Sequence, residues 1–133
     1  MTESNEYEFD VALLVDAARQ AAGLDDLGDE RFAEGLAVLC QTLDGAAGLS
    51  EKGRRSHWKR LVRLLGTRLR VEAAFKEHPE IREREIRSPM FLTGLPRTGT
   101  SATFNLLGKD PAARPLLLWE GTFPEPLAGI GPG

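Results

Sequence analysis

The chain has 133 residues, 41% apolar and 28% charged, with a formal net charge of −3. That is the length and balance of one folded domain and excludes a globally disordered chain. No apolar run approaches the roughly 20 residues of a membrane helix, the opening "MTESNEYEFD" lacks the basic and apolar regions of a secretory signal, and the single cysteine, Cys40, excludes an internal disulfide or a cysteine zinc site, so a reducing cytoplasm is expected.

The first 80 or so residues read as helices. "FDVALLVDAARQAAG" has Asp10 as an N-cap and Gly23 as the residue past its end. After the turn "LDDLGD", Phe32, Leu36, Leu39 and Leu43 recur at helical spacing, with Asp29 placed to cap them. "DGAAGLS" breaks that helix. Ser50 then caps a longer one whose apolar stripe is Trp58, Leu61, Val62, Leu65, Leu69 and Ala73, ending at His78-Pro79. Charge is unevenly spread along these segments. Residues 1–50 carry 11 acids against 2 Lys/Arg, whereas residues 51–89 carry 12 Lys/Arg against 6 acids. An acidic first third can attract a basic middle across the fold, or the basic face can focus an anionic ligand.

A charged connector, "EIREREIRSP", leads to Pro89. "MFLT" then reads as a short buried strand, "LPRTG" as a loop, and Thr100 to Lys109 as a helix stopped by Asp110-Pro111. "LLLWE" reads as a second strand, and "GTFPEPLAGIGPG" is a glycine–proline tail without periodicity. The expected fold class is therefore α/β: a helical region over 1–88, then the first strand, loop and helix of a parallel sheet over 89–133. One or two strands leave open edges, so the sheet is expected to be incomplete and the chain truncated.

The stretch "GLPRTGTS", Gly94 to Ser101, carries the chemistry. A strand feeding a helix through a glycine-bounded turn aims backbone N–H groups at one point, and the helix dipole favours an anion there. Gly94 and Gly99 keep the spacing of G-x-x-x-x-G-K-[ST], but Thr100 stands where that pattern needs lysine. In nucleotide-cleaving loops that lysine reaches the β/γ-phosphates alongside magnesium. Without it the loop suits an anion of lower charge density, met by amides, the hydroxyls of Thr98, Thr100 and Ser101, and the Arg97 cation. Pro96 stiffens the start of the turn, and no acid for magnesium can be identified.

With its flanks, "TGLPRTGTSATFNLLGKDPAARPLLLWE" resembles a branch of the bacterial sulfotransferases that use 3′-phosphoadenosine 5′-phosphosulfate. "GLDDLGDERF", "LLGTRLRVEAAFKEHPEI" and "PMFLTG" extend the resemblance from about Val11 to Glu120. It implies an enzyme with a P-loop-like sulfotransferase fold, of which this chain is an amino-terminal, incomplete part. It also implies that Pro96, Arg97, Thr98, Gly99, Thr100 and Ser101 bind the donor's 5′-phosphate, through the amides of Thr98 to Ser101 and the hydroxyls of Thr100 and Ser101. Arg97 would be catalytic, steadying charge on the leaving group. No metal would be needed, the acceptor would be a small-molecule hydroxyl or amine, and neither nucleic acid nor a transmembrane segment is implied. Two departures stand out. Phe104 replaces a histidine common in that branch, and the family's 3′-phosphate grip belongs to later elements.

Two other readings fit the sequence: a P-loop kinase relative, or a non-enzymatic helical interaction module with a vestigial loop. Lys52, Arg55, Lys59, Arg63 and Arg70 form either an anion-binding stripe or a solvated helix face, the commoner case. His57 and His78 fit no motif, and Cys40 reads as a small buried hydrophobe. Trp119-Glu120 either shapes the acceptor side or is a core anchor beside a surface acid.

Overall fold

A computed structural model describes residues 7–124. The acidic opening through Glu6 and the tail from Glu125 lie outside the described residues. The described residues divide into two compact units, 7–79 and 80–124.

The first unit follows its sequence signals closely. The helix α1 spans Val11–Ala22, and Asp10 Oδ1 accepts the Leu13 amide at 3.0 Å. Gly23 closes α1 at φ 65°, its N–H donating to the Arg19 carbonyl at 2.8 Å. The helix α3 spans Glu51–Glu77 and starts at Ser50, whose Oγ accepts the Gly53 amide at 3.2 Å. It ends just before His78-Pro79, as the proline requires.

The helix between them, α2, spans Phe32–Asp44, and here two local expectations change. Asp29 does not cap it. Its Oδ1 accepts the Arg31 amide at 2.8 Å and its Oδ2 the Arg31 guanidinium at 2.7 Å, a tight turn two residues short of the helix start. The apolar stripe changes at one position only, since Phe32, Leu36 and Leu43 lie on the core side as expected. Leu39 is 42% exposed, and Cys40 takes the inward position at 3%.

The core of this unit joins all three helices: Leu14 and Ala18 from α1, Cys40 and Leu43 from α2, and Leu61, Leu65 and Leu69 from α3 are buried together with Phe9 and Leu27. Trp58 and Val62 pack against them from the edge of the α3 stripe. Each fully buried leucine contributes about 1.5–3 kcal/mol by leaving water.

The acidic and basic thirds meet inside this unit. Arg54 pairs with Asp44 and Lys76 with Asp26. Arg68 donates to the carbonyls of Leu27 at 2.6 Å and Asp29 at 2.8 Å, its guanidinium 4.6 Å over the Phe32 ring. Arg54 ties α3 to the end of α2, and Lys76 and Arg68 tie it to the α1–α2 connection, so part of the charge asymmetry is answered within the fold.

The second unit overturns the α/β expectation. Among the described residues there is no strand and no sheet: the described elements are five α-helices and a 3-10 helix over Pro79–Glu83. Met90 to Thr93, expected as a buried strand, has no regular structure, with Met90 at 76% and Phe91 at 83% exposure. A strand exists only through ladder bonds to a neighbour, and no described segment pairs with this one. "LLLWE" is not a strand either. Leu118–Thr122 forms a short helix, α5, where Glu120 Oε2 accepts the Leu117 amide at 2.7 Å. The helix α4 runs over Thr100–Leu107, two residues shorter than expected. No described residue of this unit is buried, and Leu95, Leu106 and Leu118 are 77%, 69% and 89% exposed.

Candidate functional site: a glycine-bounded loop at a helix N-terminus

The loop expected from sequence is present and lies wholly in the second unit. Leu95-Pro96-Arg97-Thr98 forms a tight turn, closed by the Thr98 amide donating to the Leu95 carbonyl at 3.3 Å. Proline at the second position fixes its φ, and Arg97 follows at φ 65°. Proline followed by positive φ is the signature of a type II turn, whose third position usually needs glycine. An arginine held there costs about 1–2 kcal/mol in backbone strain.

Gly99 comes next, at φ 84°, and serves as the N-cap of α4 with no side chain capping the helix. The first bond back to it is the Thr103 amide donating to the Gly99 carbonyl at 3.0 Å. The amides of Thr100 and Ser101 therefore precede the hydrogen-bonded part of the helix, at its positive end.

Two further features define the loop. The hydroxyls of Thr100 and Ser101 make no protein hydrogen bond among the described residues. Gly94 is held without a side chain, because a Cβ there would sit 2.7 Å from Thr98 Oγ1 and 2.9 Å from Thr100 Cγ2. The whole stretch is solvent-accessible, with Thr100 half-buried and Arg97, Thr98, Gly99 and Ser101 exposed.

The expected site residues thus cluster, with one redistribution of roles. Thr98 is engaged in the turn through both its amide and its hydroxyl, which donates to the Leu95 carbonyl at 2.7 Å. The donors left for an anion are the amides of Gly99, Thr100 and Ser101, the Thr100 and Ser101 hydroxyls, and the Arg97 guanidinium. Gly94, which sequence spacing marks only as part of a pattern, proves structurally required.

Comparison with known proteins adds the family context. No family model matches the sequence, and no curated protein does. A solved structure does match: the crystal structure of sulfotransferase STF1 from Mycobacterium tuberculosis H37Rv, at 39% sequence identity and a TM-score of 0.82. This chain is similar to a sulfotransferase. The likeness covers 88% of this chain and 33% of that one, so the chain spans about a third of the length of the sulfotransferase it matches.

Residues beyond the loop have simpler roles. Arg114 pairs with Glu120 at 2.6 Å, and the Glu120 side chain is only 18% exposed while Trp119 is 51% exposed. Of the two readings of this pair, the tryptophan anchor beside a surface acid does not hold, since the acid is the more covered of the two. Phe104 sits on α4 at 38% exposure, and His57 is exposed on α3. Cys40 is buried, and burial, with the Asp44 and Asp10 carboxylates adding to it, pushes its thiol pKa up, away from the reactive thiolate. Among the described residues no three His, Cys, Asp or Glu cluster to hold a metal, and no helix is long and apolar enough to cross a membrane.

Proposed function

We propose that this chain carries the donor-binding loop of a sulfotransferase that moves a sulfuryl group from 3′-phosphoadenosine 5′-phosphosulfate to a small-molecule hydroxyl or amine. The observation that carries the reading is the loop from Gly94 to Ser101: unpartnered hydroxyls and amides at a helix N-terminus, beside an arginine, with threonine at the lysine position. The 39% identity to a sulfotransferase supports it.

The residues fit a sulfated nucleotide anion. The amides of Gly99, Thr100 and Ser101 lie at the positive end of α4 and would take the 5′-phosphate oxygens, with the Thr100 and Ser101 hydroxyls adding two donors. Pro96 sets the turn that holds Arg97 in its left-handed conformation. Arg97 would sit against the bridging oxygen and offset the negative charge that grows there as the S–O bond to the phosphate breaks. When bound, the donor supplies an electrophilic sulfur. The acceptor oxygen or nitrogen attacks it in line, loses its proton to a base, and adenosine 3′,5′-bisphosphate leaves. A sulfuryl group carries less charge than a phosphoryl group, so one arginine and the helix end meet the electrostatic demand.

Isothermal titration with adenosine 3′,5′-bisphosphate tests the reading. Hydrogen bonds to charged groups are worth about 1.5–3 kcal/mol, so Arg97→Ala should weaken binding by about 10- to 100-fold. Equal affinity in the variant, or a preference for Mg-ATP, would overturn it.

A further inference from the structure

We propose that the first unit holds a second ligand site, a groove between the end of α1 and one face of α3 that takes a small anionic amphiphile: a carboxylate or sulfate headgroup on a short apolar tail. This inference is independent of the sulfotransferase reading. The groove encloses about 300 Å³, at the lower end of small-molecule sites. Its floor is apolar. Ala22 closes it from α1, and Trp58, Val62 and Gly66 line it from α3, one side chain per turn. Gly66 adds no side chain to the floor, and a Cβ there would just touch Arg70 Nη1 at 3.4 Å.

The rim is cationic. Lys59, Arg63 and Arg70 line the same groove. Lys59 and Arg63 are four residues apart, where like charges on a helix repel. Both are exposed, and among the described residues neither has an acidic partner. Elsewhere along α3 some cations are answered, although Lys52 and Arg60 also lack an acidic partner among the described residues. Arg54 and Lys76 are each matched by a carboxylate, and Arg68 by two backbone carbonyls. The helix therefore keeps two unneutralised cations beside an apolar floor. Arg70 lies one turn beyond Gly66, with Nη2 donating to Thr67 Oγ1 at 3.2 Å. A ligand with an apolar body and an anionic end satisfies both parts at once: the tail covers the Trp58 and Val62 surface, and the headgroup accepts charge-assisted bonds from the rim.

Octanoate and octyl sulfate are the probes, with octanol and octylammonium as uncharged and cationic controls. Binding is read from Trp58 fluorescence in a Trp119→Phe background, and from amide shifts of Ala22 and Gly66 in the unsubstituted chain. The proposal expects saturable shifts with both anions, weaker binding by at least tenfold for octanol, and no binding of octylammonium. Lys59→Glu with Arg63→Glu, both at exposed positions, should lower octanoate affinity at least tenfold with the helical circular dichroism unchanged. Octanol binding as tightly as octanoate would overturn the proposal. So would octanoate shifts confined to Gly99–Ser101, no saturation below probe aggregation, or unchanged affinity in the double variant.

Discussion

Leu69→Ala is the sharpest test of where this fold keeps its stability. Leu69 is 0% exposed and lies on α3 within the core shared by all three helices of the first unit. Truncating it removes the burial of most of a leucine side chain and leaves a cavity walled by helices that can close only in part. Leu→Ala at such sites costs about 2.7–5 kcal/mol. Among the described residues the core has nine buried residues, so few neighbours are available to refill the space, and we expect a value near 4 kcal/mol. For a unit of this size each kcal/mol moves the unfolding midpoint by about 4–8 °C. The variant should therefore melt about 15–30 °C lower, or fail to show a cooperative transition. Leu106→Ala is the matched control. Leu106 is equally apolar but 69% exposed on α4, and its loss should move the midpoint by no more than a few degrees. Thermal unfolding followed by circular dichroism reads both. A fall of similar size in the two variants would refute the assignment of the core to the first unit.

Three further outcomes are expected. Gly94→Ala drives a Cβ against Thr98 and Thr100, and Gly99→Ala strains a residue at φ 84°; each should weaken adenosine 3′,5′-bisphosphate binding about tenfold or more, with the unfolding midpoint little changed, and retained affinity in both would contradict the loop geometry. The Lys76 ammonium, with the Gly28 amide, holds the Asp26 carboxyl below its ordinary pKa. That contribution to stability is present above the unfolded carboxyl's pKa of about 4 and is lost as pH falls through the lowered value. The midpoint difference between the unsubstituted chain and Asp26→Asn should therefore shrink from pH 6 to pH 2.5, and a difference that grows on acidification would contradict the pairing. Cys40, 3% exposed with its thiol pKa raised, should react with a thiol reagent at pH 8 only as fast as the unit opens. Fast modification without denaturant would place Cys40 outside the core.

The helical unit was legible because its signals are local. Asp10, Gly23 and Ser50 act within four residues of themselves, and the Leu61–Leu65–Leu69 period needs only one helix to express it. Asp29 misled because an aspartate two residues before an amide can close a turn as readily as cap a helix. Leu39 misled because a mostly apolar helix carries more than one apolar stripe, and Cys40 fills the inward position beside Leu36 and Leu43. Met90–Thr93 could not be read correctly from its own residues: strand formation depends on a partner elsewhere, whereas helix formation does not. The run "LLLWE" was ambiguous as a short apolar segment, and the deciding contact was the Glu120 carboxylate reaching back to the Leu117 amide. The loop was legible as a loop because Gly94, Pro96 and Gly99 punctuate it. The need for glycine at position 94 emerged only once Thr98 and Thr100 were seen folded back over it.

The most direct test of the central claim is a two-dimensional amide NMR titration of the whole chain with adenosine 3′,5′-bisphosphate, and separately with Mg-ATP. The loop reading predicts saturable shifts of the Gly99, Thr100 and Ser101 amides with the bisphosphate, moved to about 10- to 100-fold higher ligand concentration by Arg97→Ala, and weaker shifts with Mg-ATP. Unmoved loop amides in the folded chain, or tighter binding of Mg-ATP, would contradict it.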